Sequence, residues 1–230
     1  MVSEPQVFEV RQAQGAFERI EGHLREAGFF AGSDVADARR AHVYLGYGLS
    51  DPLRRTATAA RPEPAVLPLA ACRIVEGERA APAPGPYWVG TWERTWSDDD
   101  YARAVRLARE AIAAGEVYQV NLVQHLCAPF EGDPAGVAAA LRGFGPLHAS
   151  PLLAPAWAIA TATPELFLAR RGRRIWTMPI KGTRPAGQAA TLSASAKDAA
   201  EHVMIVDLER NDLGLICEPG SVRWPELMQA

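Results

Sequence analysis

Cysteine is scarce in this sequence of 230 residues, with three at positions Cys72, Cys127 and Cys217. An odd number of widely spaced cysteines fits neither a disulfide framework nor a zinc site. Unpaired thiols are typical of proteins from a reducing compartment. The cysteine pattern therefore predicts a cytoplasmic protein that depends on neither disulfide bonds nor structural zinc.

Long apolar runs and an excess of charge of one sign are also missing. No apolar stretch approaches the roughly 18 residues that a membrane-spanning helix needs. Residues 1–5 open without the basic and apolar regions of a signal peptide. The net charge is −3, so the charge balance favours neither nucleic acid nor an anionic membrane as a partner. We expect a soluble protein that binds neither.

What is present is an ordinary globular composition, with 48% hydrophobic and 22% charged residues. A chain of this length can bury a sizeable core, as one large domain or two small ones. A run of alanine and proline at 80–86 predicts an extended linker. We place a domain boundary there, between a short N-terminal α+β segment over 1–86 and a larger domain over 87–230.

Hydrophobic periodicity predicts helices over 14–27, 97–114 and 133–142, and a last helix that begins at Ser195. Serine or aspartate starts the last three, where a side chain can cap free backbone N–H groups. Strands are predicted over 41–48, 69–76, 116–127, 157–163, 164–169 and 174–178. Because strands, helices and hairpins follow in irregular order, the pattern predicts an α+β fold with antiparallel sheets.

One predicted hairpin, formed by the last two of these strands, brings two reactive groups together. Its strands are joined by a short loop that contains Gly172. If the chain turns there, opposite residues have numbers that sum to about 345. Glu165 then lies opposite Ile180 and close to Lys181. A carboxyl group and an amine at the open end of one hairpin form an arrangement suited to an acid or base beside a nucleophile.

Lys181 lies in the element Pro179-Ile180-Lys181-Gly182-Thr183, which resembles the Pro-Ile-Lys-Gly-Thr element of chorismate-utilising enzymes of the aminodeoxychorismate synthase type. Four further segments resemble the same family and occur in the family's order. They are 115–122, 163–167, 197–202 and 204–214. The family also includes anthranilate synthase component I and the isochorismate and salicylate synthases. Five segments in order make the resemblance specific.

The resemblance implies a fold and a reaction. The family fold is a sandwich of antiparallel β-sheets flanked by helices, and the domain over 87–230 corresponds to the first part of the catalytic domain. The implied reaction is amination of chorismate at C4 to 4-amino-4-deoxychorismate, towards 4-aminobenzoate and folate. The implied source of ammonia is a glutamine amidotransferase subunit or domain.

The resemblance also implies roles for the residues at matching positions. Lys181 is the expected nucleophile that adds to ring carbon 2 of chorismate, and Glu165 is the expected acid for the departing C4 hydroxyl. Gly182 and Thr183 are expected to contact the substrate. Glu201 is the expected ligand of Mg²⁺, a cation that usually takes only one or two protein carboxylates.

Each of these residues also has a commoner interpretation, as a solvated charge or a turn-stabilising side chain. Two other functions stay open for the chain. One is a chorismate enzyme of the anthranilate synthase component I type, against which Lys181 argues because those relatives have alanine at this position. The other is a non-catalytic fragment that acts as a binding or interaction module.

The resemblance ends near residue 222. Beyond that point the family has further glutamates for the magnesium site and an arginine for the substrate carboxylate, and the corresponding motifs do not follow here. Leu215 also replaces the arginine that usually follows Asn-Asp-Leu-Gly. Because small misplacements of catalytic groups cost about 100-fold or more, we expect activity to depend on the C-terminal portion that is missing from this sequence.

Overall fold

The computed structural model describes residues 6–30, 39–53, 65–76, 83–147, 150–185, 187–188, 191–192 and 194–225. The predictions for residues 1–5 and for linker residues 80–82 lie outside these ranges. The helices within them are α1 Ala16–Glu26, α2 Asp98–Ala113, α3 Pro134–Leu141 and α4 Ala196–Gly214, with short 3-10 turns at Tyr47–Leu53 and Arg142–Phe144. Of the helices in the described ranges, none is both long and apolar enough to cross a membrane.

The strands are short, and every pairing described between them is antiparallel. They are β1 Phe8–Val10, β2 Arg39–Leu45, β3 Ala70–Glu76, β4 Tyr87–Val89, β5 Glu93–Arg94, β6 Leu126–Cys127, β7 Phe130–Gly132, β8 Leu152–Ala154, β9 Trp157–Ile159, β10 Leu166–Arg171 and β11 Arg174–Met178. The largest sheet has the order β1-β3-β2, and the other sheets are the pairs β4-β7, β5-β6, β8-β9 and β10-β11. This arrangement confirms the predicted α+β class with antiparallel sheets.

The predicted helix starts are confirmed by side-chain caps. The Ser97 hydroxyl accepts a hydrogen bond from the Asp100 N–H at the start of α2 (3.1 Å). Asp133 caps α3 by accepting from the Ala135 N–H (2.9 Å), and the Ser195 hydroxyl accepts from the backbone of α4. Each cap satisfies an N–H group that has no partner within its own helix.

One strand prediction is wrong. Alternating apolar and polar residues predict a strand over 116–127, but the structure has a strand there only at Leu126–Cys127. Tyr118 and Val120 are exposed instead of facing a core. Alternation defines two faces of a strand, but a strand also needs a neighbour that takes up its backbone hydrogen bonds. In the described residues, 116–125 have no such neighbour.

The core lies where α1 packs on the three-stranded sheet. Val10 and Cys72 are fully buried there, and Ile20 of α1 covers them. On a second cluster, Ala71 of β3 packs against Leu152 and Trp157 of the β8-β9 hairpin. Contacts therefore join parts of the chain on both sides of residue 86, and the division into two domains at that residue stays a prediction.

Candidate active site

The β10-β11 hairpin positions the candidate site and closely follows the predicted register. The pairs Ala169–Trp176, Arg170–Ile175 and Arg171–Arg174 each have numbers that sum to 345. Gly172 makes the turn with a φ of 57°, a left-handed conformation that glycine adopts without a steric penalty. Nearer the open end, Leu166 pairs with Met178, one position away from that sum, because the ladder is irregular between Leu166 and Ala169.

Glu165 lies at the open end of this hairpin, directly before β10. Its Oε1 accepts a hydrogen bond from the backbone N–H of Ile180 at 3.0 Å, and its own N–H donates to the Thr163 hydroxyl at 3.1 Å. The carboxyl group is therefore tied to the residue that precedes Lys181, although Glu165 is exposed overall. The structure places Glu165 opposite Ile180, as the register predicts, while its closeness to the Lys181 amine and its role as an acid stay predictions.

Lys181 faces helix α4. Its Nζ lies 4.0 Å from Oε1 of Glu201, and the two side chains are 23% and 35% exposed. The same oxygen of Glu201 accepts a hydrogen bond from Nε2 of Gln119 at 3.3 Å. The predicted nucleophile and the predicted metal ligand are thus neighbours, and both side chains are partly exposed.

A second ion pair fixes the same loop to the start of α4. The Arg184 guanidinium lies 2.5 Å from Oδ2 of Asp198, whose side chain is only 14% exposed. Hydrogen bonding with Ser195, together with the Arg184 guanidinium, holds the pKa of Asp198 below its ordinary value, although burial acts in the opposite direction. Asp198 is therefore a carboxylate that anchors the loop around Lys181.

Gly182 allows the loop to approach α4 closely. It has a φ of 80°, and a Cβ at this position would lie 2.5 Å from Cδ1 of Leu192 and 3.1 Å from Cγ of Asp198. Any larger residue would push the loop and helix apart, so packing alone explains the glycine. Thr183 is exposed, and its carbonyl accepts a hydrogen bond from Arg184 (2.9 Å). Substrate contacts by Gly182 and Thr183 stay predictions.

Glu209 joins this site, and it was not among the residues predicted from the sequence. It lies half-buried on α4, where it hydrogen-bonds with Thr177 of β11 and interacts electrostatically with Glu165, Lys181 and His202. Burial, with a smaller contribution from the Glu165 carboxylate, raises the pKa of Glu209 above its ordinary value.

Asp198, Glu201 and Glu209 form a row along one side of α4, here called the carboxylate row. Asp198 pairs with Arg184, Glu201 lies beside Lys181, and Glu209 hydrogen-bonds with Thr177 of β11.

Glu201 has the chemistry of a Mg²⁺ ligand, since a partly exposed carboxylate is the hard oxygen donor that this cation prefers. It would supply one of the one or two protein carboxylates that Mg²⁺ usually takes. Within the described ranges, no group of three or more His, Cys, Asp or Glu side chains lies together as a complete metal-binding set. Glu201 therefore fits as a single ligand beside water and substrate oxygens.

The structure thus has an antiparallel α+β fold and a lysine beside the Glu201 carboxyl group. Residues 23–230 match the family described as chorismate binding enzyme, and the chain belongs to this family. Among its relatives, aminodeoxychorismate synthase component 1 of Bacillus subtilis is 36% identical over 155 residues, which are 62% of this chain and 32% of the relative.

A relative named for a different reaction has the same sequence identity to this chain. Anthranilate synthase component 1 of Streptomyces coelicolor is 36% identical over 162 residues, 65% of this chain and 31% of that protein. Aminodeoxychorismate synthase of Streptomyces pristinaespiralis is 41% identical over 140 residues, 56% of this chain and 19% of that protein. The chain thus spans about a third or less of the length of these relatives. Their names define the family but leave the reaction of this chain open.

Proposed function

We propose that this chain carries the aminating chemistry of an aminodeoxychorismate synthase: chorismate is aminated at C4 to 4-amino-4-deoxychorismate. The observation that supports this most is Lys181, whose amine lies 4.0 Å from Glu201 next to the residue that Glu165 holds. Lysine is a nucleophile that forms covalent intermediates. The anthranilate-type reaction has no use for such a group.

The reaction has two steps under this proposal. The free amine of Lys181 adds to C2 of chorismate, both ring double bonds shift, and the C4–O bond breaks. Glu165 gives a proton to the departing hydroxyl, which leaves as water, because hydroxide is a poor leaving group. Ammonia then adds to C4, both double bonds shift back, and the C2–N bond to Lys181 breaks. The new C4 ammonium returns one proton to the site.

The other predicted residues have supporting roles. Gly182 and Thr183 line the approach to Lys181 and contact the substrate. Glu201 holds Mg²⁺, which when bound neutralises and orients the ring carboxylate of chorismate. The Arg184–Asp198 pair keeps the Lys181 loop at a fixed distance from Glu201, as a reaction that depends on orientation requires.

The proposal includes a partner and a location. Several relatives are named as component 1 of a synthase, which supports a second component. We propose that this component is a glutamine amidotransferase that supplies ammonia, that the protein acts in the cytoplasm, and that the product leads to 4-aminobenzoate and folate.

Mass spectrometry of the protein after incubation with chorismate, Mg²⁺ and an ammonium salt tests the proposal. The chain contains two lysines, Lys181 and the exposed Lys197, so Lys197→Ala is a matched control for Lys181→Ala. We expect 4-amino-4-deoxychorismate as product and, without ammonia, an adduct on Lys181. Both are expected to be lost in Lys181→Ala and kept in Lys197→Ala.

The product distinguishes the alternatives. Anthranilate as product, or a product that persists in Lys181→Ala, would show chemistry of the anthranilate synthase type. If the folded chain forms neither adduct nor product, it is not a working synthase by itself. Binding of a glutamine amidotransferase subunit would then favour a role as an interaction module.

A further inference from the structure

The open end of the β10-β11 hairpin, where Glu165 lies, is beyond the reach of the backbone ladder. The last pair described towards this end is Leu166–Met178, and the next residue on the second strand is Pro179. Proline has no N–H group, so the ladder cannot continue through it. The residue before Glu165 is also a proline, Pro164. The position of the expected acid therefore depends on contacts other than strand pairing.

Side chains supply the contacts that the ladder lacks. The Glu165 N–H donates to the Thr163 hydroxyl at 3.1 Å, and the Thr177 hydroxyl donates to the Leu166 carbonyl at 3.0 Å. The carboxyl group of Glu165 accepts from the Ile180 N–H at 3.0 Å. Of these three hydrogen bonds, the one with Thr163 holds the backbone of Glu165 itself.

Thr163 is in turn held by its own backbone. Its carbonyl accepts from the Leu147 N–H at 3.1 Å, and its N–H donates to the Thr161 hydroxyl at 3.1 Å. Its hydroxyl also faces the Glu165 carbonyl, but the 3.5 Å between these oxygens is longer than a normal O–H···O bond. Beyond Glu165, Leu166 is only 7% exposed. Glu165 thus lies between a hydrogen-bonded threonine and a buried leucine.

The hydrogen bond from Ile180 gives the two carboxyl oxygens of Glu165 different roles. A backbone N–H is a donor only, so Oε1 is the acceptor, and in the neutral acid the proton lies on Oε2. A general acid must bring its proton within hydrogen-bond distance of the leaving oxygen. The direction of Oε2 is set once the backbone of Glu165 and Oε1 are both held.

We propose that Thr163 is a positioning residue for Glu165: its hydroxyl holds the Glu165 backbone so that Ile180 binds Oε1 and Oε2 delivers the proton. This inference rests on the proposed function, in which Glu165 is the acid. The C4–O bond breaks as Oε2 gives its proton to the hydroxyl, which leaves as water, and Glu165 becomes a carboxylate. The proton that the new C4 ammonium releases restores it. Thr163 contacts none of the reacting atoms, so its whole effect passes through Glu165.

Four variants separate the hydroxyl from the rest of the Thr163 side chain. Thr163→Val removes the hydroxyl and keeps the branched shape, while Thr163→Ser keeps the hydroxyl. Thr163→Ala is the second variant without a hydroxyl, should Thr163→Val fold poorly. Thr95→Val is the matched control, because Thr95 is also exposed and its hydroxyl also bonds to backbone, at the His125 carbonyl (3.3 Å). Circular dichroism checks the fold of each variant.

The first measurement is the rate of adduct formation on Lys181 at several chorismate concentrations, with Mg²⁺ and without ammonia. A misplacement of 1 Å costs about 100-fold in rate, and since Thr163→Val leaves the Ile180 contact in place, we expect it to slow the adduct about 10-fold at saturating chorismate. The chorismate concentration that gives half of the maximal rate should stay unchanged. Thr163→Ser and Thr95→Val are expected to retain the wild-type rate.

The second measurement repeats Thr163→Val together with Glu165→Gln. Effects of independent residues add, whereas those of residues that act through one another do not. Glutamine cannot give the proton, but its carbonyl can still accept from the Ile180 N–H. We therefore expect Thr163→Val to slow the wild type and to cause no further loss beside Glu165→Gln.

The third measurement follows the contact itself. Amide hydrogen exchange at Glu165, measured by NMR, is expected to be faster in Thr163→Val than in the wild type or Thr163→Ser, because local opening controls exchange. This readout needs no substrate, so it reports on the hydrogen bond independently of the reaction.

Three outcomes would overturn the inference. They are an equal loss of rate from Thr163→Val with and without Glu165→Gln, a Thr163→Ser variant as slow as Thr163→Val, and amide exchange at Glu165 that does not change. Any of them, with normal adduct formation in the wild type, leaves the proposed function intact. Absence of the adduct in the wild type, in contrast, rejects the proposed function and the positioning role with it.

Discussion

Two parts of this chain are held together by different forces. In the sheet β1-β3-β2 and the elements that pack on it, apolar side chains are removed from water completely, as Val10 and Cys72 show. In the part formed by β10, β11 and α4, the helix has no buried residue. Among the described residues, its side chains form the ion pairs Arg184–Asp198 and Lys181–Glu201.

The difference separates stability from chemistry. Burial of apolar area contributes roughly 25 cal/mol per Å² without regard to direction, whereas a solvent-exposed ion pair contributes about 0–1 kcal/mol. The charges around Lys181 therefore fix positions more than they stabilise the fold. A site built in this way can be altered residue by residue while the sheet keeps the chain folded.

The largest expected effect is the loss of stability when a buried side chain of the apolar part is truncated. Trp157 is 8% exposed, packs on Ala71 and Leu152, and donates from Nε1 to Oε1 of Glu9 at 2.8 Å. Trp157→Ala leaves a cavity and an unpaired carboxylate oxygen. Truncation of a buried tryptophan costs about 3–5 kcal/mol, and urea unfolding followed by circular dichroism measures the loss.

Trp92 provides the matched control, because it is 60% exposed. Trp92→Ala is expected to change the free energy of unfolding by less than about 1 kcal/mol. Equal losses for the two tryptophans would mean that the β8-β9 hairpin does not belong to the core, and the contrast between the two parts of the chain would fail.

A smaller effect concerns the thiol inside the apolar part. Burial raises the pKa of Cys72 to about 11, so about one thiol in a thousand is ionised near pH 8, and only the thiolate reacts. Cys127 and Cys217 are only partly buried. We expect a thiol reagent to modify two cysteines quickly and Cys72 at least about 10-fold more slowly, as peptide mapping by mass spectrometry would show.

The difference in cysteine reactivity should vanish in denaturant, since the three thiols are then equally exposed. If Cys72 reacts as fast as the others in the folded protein, the sheet opens readily and is not the stable part. The rate of Cys72 modification in Trp157→Ala shows whether loss of the contact between the β8-β9 hairpin and β3 makes Cys72 of β3 more accessible.

Features set by neighbours in sequence were predictable. Helix caps at Ser97, Asp133 and Ser195 follow from residue type and position. The β10-β11 register follows from a short loop with one glycine, and it brought Glu165 next to the Lys181 segment. These predictions succeed because the interactions that decide them span few residues.

Features set by distant packing were not predictable in the same way. The strand expected over 116–127 fails because its alternation does not specify a partner. Glu209 was missed because its chemistry depends on where α4 lies against β11. Its spacing from Asp198, eleven positions or about three helical turns, placed the two on one side of the helix, but the groups across from them depend on tertiary structure.

The smallest expected effect is a pH-dependent difference in Tm, which tests the charged part of the chain. Because the folded pKa of Asp198 is lowered from 3.8, its ionised form contributes stability that is present above the unfolded pKa and is lost as pH falls through the folded pKa. Asp198→Asn has no such titration. The difference in Tm between wild type and variant should therefore shrink as pH is lowered from about 6 towards 3, and salt should reduce it at the higher pH.

Asp99→Asn, at an exposed position in the first turn of α2, is the control, and the pH dependence of its Tm difference is expected to be weaker. A Tm difference for Asp198→Asn that stays constant with pH would mean that the carboxylate charge contributes nothing at this end of α4. The Lys181 loop would then be held by the close packing of Gly182 against Leu192 and Asp198, and not by charge. In that case Gly182→Ala, which forces these atoms apart, would disturb the site more than loss of the Arg184 ion pair.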